Sequence, residues 1–327
     1  MSSRATATAG ANIAIVKYWG RASTEPLVPL NNSISMTLDA ARTVTTVTFS
    51  SGYTEDALTL NDAPASEAAT VRVSRHLDRL RARARVETRA QVVSRNSFPA
   101  AAGVASSASG FAALTVAVAA ALGLELTPQE LAALAREASG SASRSILGGW
   151  VEWVADAPDE ACIRQLAPAD HWDVADVVAI VSREAKPVSS LDGHTRAATS
   201  PMLRARVASL QRSLRETRDA IARRDLALLG TVAERDALSL HAVAMTSEPG
   251  ILYWQPGTLE VMHAVRAWRK EGLPAYFTLD AGPNVHILTT SQHRDAVPER
   301  AEALPGVQGV LVCGPGQGAR LTEAHLA

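Results

Sequence analysis

The chain has 327 residues and a mass of 34.4 kDa, with 47% apolar and 20% charged residues and a formal net charge of -1 at pH 7. That length suits two domains or one large one, and the composition supplies a sizeable core, which excludes a disordered or collagen-like chain. With 32 basic residues against 33 acidic ones, no global attraction draws it to nucleic acid or to an anionic membrane.

In chain order, residues 12–19 read as a strand ending at Gly20, and residues 33–38 and 43–49 carry the β-branched enrichment of two further strands. Residues 67–85 predict a basic amphipathic helix with its arginines on a solvated face. A small-residue loop over 98–110 runs straight into an alanine-rich helix that stops near Gly123. Thr127-Pro128-Gln129-Glu130 opens another helix as a capping box with proline at its first position, and that helix runs to about Ala138. Residues 177–182 predict a short buried strand, and the polar stretch 184–199 reads as a domain boundary or mobile loop. Long helices follow Ser200-Pro201 and Asp225, and a third covers 257–271. Residues 275–280 and 285–288 flank Ala281-Gly282-Pro283-Asn284 as a hairpin, and 309–313 is a last strand. Strands and helices are mixed rather than alternating, which predicts an α+β fold. Two cysteines, Cys162 and Cys313, lie far apart without ligand spacings, so neither a zinc motif nor a disulfide framework is expected. No signal-peptide core opens the chain, and the longest apolar stretch, 111–122, is too short to span a bilayer. A cytoplasmic protein without a membrane segment is expected.

Three segments could carry chemistry. In 99–110, small residues allow a ligand to approach the backbone, and the following helix opens with unpaired N–H groups, so the segment reads equally as a phosphate cradle and as a tightly packed helix junction. It lacks the Gly-Lys-Ser/Thr ending of a P-loop. Ser139 to Arg144, followed by Gly148-Gly149, suits an anion, with arginine as a fork and serine hydroxyls completing the shell; a helix cap with a surface arginine is the plainer reading. Asp280, at the end of an apolar strand, is either a catalytic carboxylate or an Asx-turn residue. Lys17 and Tyr18 could equally be features of a strand end. His241, His263 and His286 lack zinc spacing and read as surface or core residues, Gly314-Pro315-Gly316-Gln317-Gly318 is only weakly like a dinucleotide loop, and no Gly-x-Ser-x-Gly elbow is present.

Taken in order, the segments 12–20, 29–38, 98–110, 140–145, 148–153 and 280–284 resemble the diphosphomevalonate decarboxylases of the GHMP kinase superfamily. Lys17-Tyr18-Trp19-Gly20 and Asp280-Ala281-Gly282-Pro283-Asn284 are the strings specific to that branch. The resemblance implies a two-lobed fold: an N-terminal ATP-binding lobe like ribosomal protein S5 domain 2, placed at 1–184, and a C-terminal ferredoxin-like lobe at 185–327, with the site in the cleft between them. It implies ATP and Mg2+ as cofactors, a phosphorylated mevalonate as substrate, and phosphorylation of its 3-hydroxyl before loss of phosphate and CO2. Homodimers are common in the family. Asp280 would orient the hydroxyl, Lys17 would hold Asp280 ionised or stabilise the transferred phosphoryl group, and Arg144 and Asn12 would hold the carboxylate. Pro99, Ala102, Gly103, Ala105, Ser106 and Ser107 would bind ATP, with Ser106 and Ser107 also reaching the metal. Tyr18, Arg21, Ser139, Ser141 and Ser190 match positions near the 5-diphosphate. Arg21 replaces the usual lysine, and Leu191-Asp192 stands where some bacterial members have an arginine; Arg196 or His194 is expected to compensate. The family favours the diphosphate as substrate, and Leu191-Asp192 favours the 5-monophosphate. A mevalonate kinase without decarboxylation and a non-catalytic binding protein are the competing readings; retention of Lys17 and Asp280 speaks against both.

Overall fold

The computed structural model describes residues 2–24, 27–98, 106–155, 157–158, 161–184 and 186–327. Two long antiparallel strands form its frame: β1 (Ser2–Val16) and, after a small ribbon of β2 (Arg21–Thr24) and β3 (Leu27–Pro29), β4 (Ser33–Ser50). The residues expected to form two strands are thus one 18-residue strand. β1 is bulged near Gly10, where a side chain would sit 2.3 Å from the Leu38 carbonyl oxygen; only glycine permits that approach. The sheet continues through β5 (Ala57–Leu60) and β6 (Ala63–Pro64), and helix α1 (Glu67–Ala84) leads to β7 (Ala90–Asn96). The arginines of α1 are not all solvated: Arg81 is buried and pairs with Asp56 at 2.7 Å.

Helix α2 (Ser106–Ala121) is buried on nearly every face because its residues are small or apolar, and it packs on β1 and β4. Helix α3 (Pro128–Ala138) begins with the expected capping box. A 3-10 turn over Gly140–Ser143 runs into the short helix α4 (Arg144–Leu147). Strand β8 (Trp150–Trp153) then pairs with the first half of β4, and β9 (Ile163–Ala167) pairs with β8.

The second sheet begins with β10 (Val174–Ala179), which pairs with strands from the end of the chain. The boundary expected at 184/185 therefore falls after the first strand of the second lobe; a strand whose partners lie more than a hundred residues away carries no local mark of the sheet it joins. The stretch 184–199 is not irregular throughout, being helical from 190 onwards. It contains helix α5 (Ser190–Arg196), capped by Ser189 and seated against the Trp19 ring at Gly193, where a side chain would come within 2.5 Å of the indole. Helices α6 (Leu203–Arg223), α7 (Leu226–Met245) and α8 (Pro256–Lys270) follow. The hairpin β11 (Tyr276–Thr278) and β12 (Val285–Thr290) is present as expected, and helix α9 (Ala296–Glu302) precedes β13 (Val310–Cys313). The order of the second sheet is β11-β12-β10-β13.

After β13 the chain returns to the first lobe. The glycine-rich run 314–318 is a strap rather than a nucleotide loop: Gly316 exchanges backbone hydrogen bonds with Thr37 and Gly149, and β14 (Arg320–Leu321) pairs with β1. One apolar cluster joins the lobes, with Ile13, Ile15 and Met36 from the first packed with Val178, Leu229 and Leu288 from the second. The two cysteines are buried and form no disulfide with each other. Among the described residues no helix is long and apolar enough to cross a membrane.

Candidate active site

Strand β1 ends at Val16, so Lys17 is the first residue beyond the sheet. Its backbone is held from both lobes: the N–H donates to Asp236 Oδ2 at 2.9 Å, and the carbonyl accepts from Arg206 at 3.0 Å, both in the second lobe, and from Asn31 of the first at 3.1 Å. The Lys17 ammonium donates to the Ala14 carbonyl and, at 3.0 Å, to Asp280 Oδ1. Asp280 sits where the β11–β12 hairpin turns. Its backbone carbonyl makes the turn bond to the Gly282 N–H at 2.8 Å, and the carboxylate is bonded to Lys17, so the Asx-turn reading does not hold. Burial would raise the carboxyl pKa, but the charge of Lys17, with His286 and Arg144 behind it, lowers it below the ordinary aspartate value. The carboxylate is still 28% accessible from the cleft.

Arg144 is 4% exposed. Its guanidinium donates to Ser35 Oγ at 3.0 Å, Ser33 Oγ at 2.7 Å and Asn12 Oδ1 at 3.3 Å, all neutral acceptors. No carboxylate among the described residues pairs with it. Burial lowers its pKa to about 10, with Asp280 and Tyr18 opposing, so it remains a cation at neutral pH. A buried, positioned guanidinium without an acidic partner is a built site for an anion. Asn12 commits its amide N–H groups to Ser145 Oγ (2.8 Å) and the Ser141 carbonyl (3.1 Å), so here it orients Arg144 rather than facing outwards as a second carboxylate donor.

Ser139 Oγ lies 3.3 Å from Ser107 Oγ and 3.4 Å from Ser141 Oγ, which joins the start of α2 to the turn before Arg144. Ser106 is the first residue of α2. Pro99, Ala102, Gly103 and Ala105 lie outside the described residues. The Tyr18 hydroxyl accepts from Arg21 Nε at 3.2 Å, while its ring stacks on His194 with centroids 4.0 Å apart.

Neither residue expected to replace the missing arginine does so. His194 accepts from the Gly20 N–H at Nδ1 (3.0 Å), and burial, with the charges of Arg21, Lys186 and Arg144, lowers its pKa to about 3, so it is neutral. Arg196 turns to the Pro249 carbonyl at 3.5 Å. The Asp192 carboxylate accepts from the hydroxyl of Ser189, the cap of its own helix, at 2.7 Å, and Leu191 is 57% exposed. The cation beside Ser190 is Lys186, which sequence reasoning missed: its ammonium donates to Ser190 Oγ and to the Ala281 carbonyl, both at 2.7 Å. Composition held a signal for it. The chain has 29 arginines and three lysines, and two of those lysines, Lys17 and Lys186, stand in this cleft. A compact ammonium is not interchangeable with a guanidinium fork.

Comparisons with known proteins point to one family. The diphosphomevalonate decarboxylase-like N-terminal domain matches residues 9–164, and the mevalonate 5-diphosphate decarboxylase C-terminal domain matches residues 176–305. The phosphomevalonate decarboxylase of Haloferax volcanii is 36% identical over 93% of this chain and 94% of its own. The diphosphomevalonate decarboxylase of Aspergillus fumigatus is also 36% identical, over 93% of this chain and 81% of its own. A solved structure of MDDEF in complex with MVAPP, AMPPCP and magnesium superposes with a TM-score of 0.92 at 38% identity, covering 99% of this chain and all of that one.

Proposed function

The chain belongs to the diphosphomevalonate decarboxylase family, and from that premise we propose that it catalyses the ATP-dependent decarboxylation of mevalonate 5-diphosphate to isopentenyl diphosphate, ADP, phosphate and CO2, in the mevalonate pathway of isoprenoid biosynthesis. The observation that carries this reading is one cleft holding the Lys17–Asp280 pair at 3.0 Å and a buried Arg144 with only neutral partners.

A tertiary alcohol is a poor nucleophile. Asp280, ionised at neutral pH, orients the 3-hydroxyl and accepts its proton as the new O–P bond forms. Lys17 keeps that carboxylate charged and faces the transferred group. Arg144, aimed by Ser33, Ser35 and Asn12, holds the substrate carboxylate. The 3-phosphate then departs with the C–O bonding pair. The bond to the carboxylate breaks, its electron pair becomes the new carbon–carbon double bond, and CO2 leaves. When bound, ATP supplies the phosphoryl group and Mg2+ neutralises charge on its oxygens. Among the described residues no group of His, Cys, Asp and Glu could hold a metal by itself, and the hydroxyls of Ser106 and Ser107 would hold the ion together with the nucleotide. Tyr18, Arg21, Ser139, Ser141, Ser190 and Lys186 face the 5-phosphate end. Buried cysteines without a disulfide suit a cytoplasmic setting.

Charge at that end favours a second reading, with mevalonate 5-phosphate as substrate. His194 is neutral and Arg196 is turned away, so neither adds to the charge of Arg21 and Lys186 and of Arg72, which lies near Arg21 and donates to the Ala138 carbonyl beside Ser139. The deciding assay is CO2 release with ATP and Mg2+, comparing kcat/KM for the 5-diphosphate and the 5-monophosphate. A higher value for the diphosphate supports the first reading, and the reverse supports the second. ATP hydrolysis or phosphorylation without CO2 from either substrate refutes both.

A further inference from the structure

The Lys17–Asp280 pair joins residues from different lobes, and neither residue lies within a regular strand. Something else must set their separation. Both are anchored to helix α7. Asp236 of α7 accepts the Lys17 N–H at 2.9 Å. Its carboxylate also pairs with Arg206 of α6 at 3.0 Å, and the same guanidinium donates to the Lys17 carbonyl. Asp236 and Arg206 are both almost wholly buried, so this clamp is shielded from water and salt. His241 of α7 donates from Nε2 to the Asp280 carbonyl at 3.1 Å; a carbonyl only accepts, so the proton is on that nitrogen. The His241 ring is packed edge-on to Tyr253 and tilted on Trp254, which fixes its direction.

Asp236 and His241 are five residues apart, about 7.5 Å along one helix axis. The helix touches both β1 and β11, the strands that lead into Lys17 and towards Asp280. It lies directly on β11 at Gly230, where a side chain would meet the Tyr276 ring at 2.0 Å.

We propose that α7 is the common reference that registers Lys17 against Asp280 across the lobe interface, with Asp236 and His241 as its two positioning residues. This rests on the reading of Lys17 and Asp280 as the reacting pair. Neither positioning residue touches substrate. They hold backbone atoms, so their loss displaces the catalytic groups without removing a substrate contact.

The test compares His241→Phe with His241→Gln in the full-length enzyme, by CO2 release and thermal unfolding. Phenylalanine keeps the ring and loses the donor, whereas glutamine restores an N–H near the same carbonyl. The expected result is a kcat lowered about ten- to a hundredfold in His241→Phe, from misplacement of the reacting groups. KM for ATP and for the mevalonate substrate should stay near wild type, and His241→Gln should recover most of the loss. A folded His241→Phe with wild-type kcat overturns the proposal, as does a His241→Gln as impaired as His241→Phe, or a defect confined to KM. If His241→Phe does not fold, His241→Leu takes its place in the same comparison. Wild-type enzyme measured alongside separates the two levels: if it releases no CO2, the decarboxylase reading falls and the positioning role with it.

Discussion

Lys17 and Asp280 are 263 positions apart and meet at 3.0 Å in the cleft, with the lysine almost wholly buried and the carboxylate partly open. Together, Lys17 and the charges of His286 and Arg144 outweigh the desolvation of the aspartate, so the carboxylate is charged at neutral pH, as the proposed role of proton acceptor requires. Asp280→Asn keeps the shape and removes the proposed base. Turnover should fall by about 10²–10⁴-fold, the range of a lost general base. ATP affinity, measured by equilibrium binding, should change little. Near-normal turnover would remove Asp280 from the chemistry.

Arg144 presents the opposite balance, a buried cation whose partners are all neutral. In Arg144→Gln the substrate loses its carboxylate partner, and kcat/KM for the mevalonate substrate should fall by about 30- to 1,000-fold, the scale of a severed buried charge pair. The free protein should not lose thermal stability, because a desolvated charge without an acidic partner is removed. Unchanged kinetics would sink the assignment. A large fall in melting temperature would show that the guanidinium serves the fold.

Leu191 follows Ser190 on α5 and is more than half exposed, so a longer cationic side chain can be accommodated there. Leu191→Arg should raise kcat/KM for the 5-diphosphate relative to the 5-monophosphate by about tenfold, the worth of one further charge-assisted contact. If the ratio does not move, the choice between them is set elsewhere, with Arg21 and Lys186 the next residues to vary.

His76, His194 and His241 are all buried, and desolvation first, then nearby cations, pushes each pKa to about 3. Their unfolded pKa values are near 6.5. Between these limits the unfolded chain binds up to three protons that the native state does not, so stability rises with pH across that window and is lost as pH falls from about 6.5 towards 3. The depressed carboxylates Asp56, Glu152 and Asp280 act in the same direction at lower pH, below their ordinary values. Urea unfolding at a series of pH values should show this slope, and His76→Leu, far from the cleft chemistry, should reduce it by about one proton. A flat profile from pH 6.5 to 4 would refute the buried neutral histidines.

Local patterns alone determined the α+β class, the capping box at Thr127, the long helices and the β11–β12 hairpin, because each depends on near neighbours: a cap three residues from its partner, or apolar positions at a fixed period. Short specific strings also singled out Lys17, Arg144 and Asp280, through the family resemblance that those strings carry. What the strings could not decide is how those groups are used. Whether Asp280 closes a turn or faces a lysine, whether Asn12 is open or committed to Ser145, and whether His194 is a cation or a neutral stacking ring all depend on residues far away in the chain. Which sheet the strand at 174–179 joins, the helix over 190–196, the clamp of Arg206 and Asp236, and the partners of Lys186 were not legible for the same reason. Burial and charge pairing are properties of the packed whole, and they set protonation and direction only after two lobes close on one apolar interface.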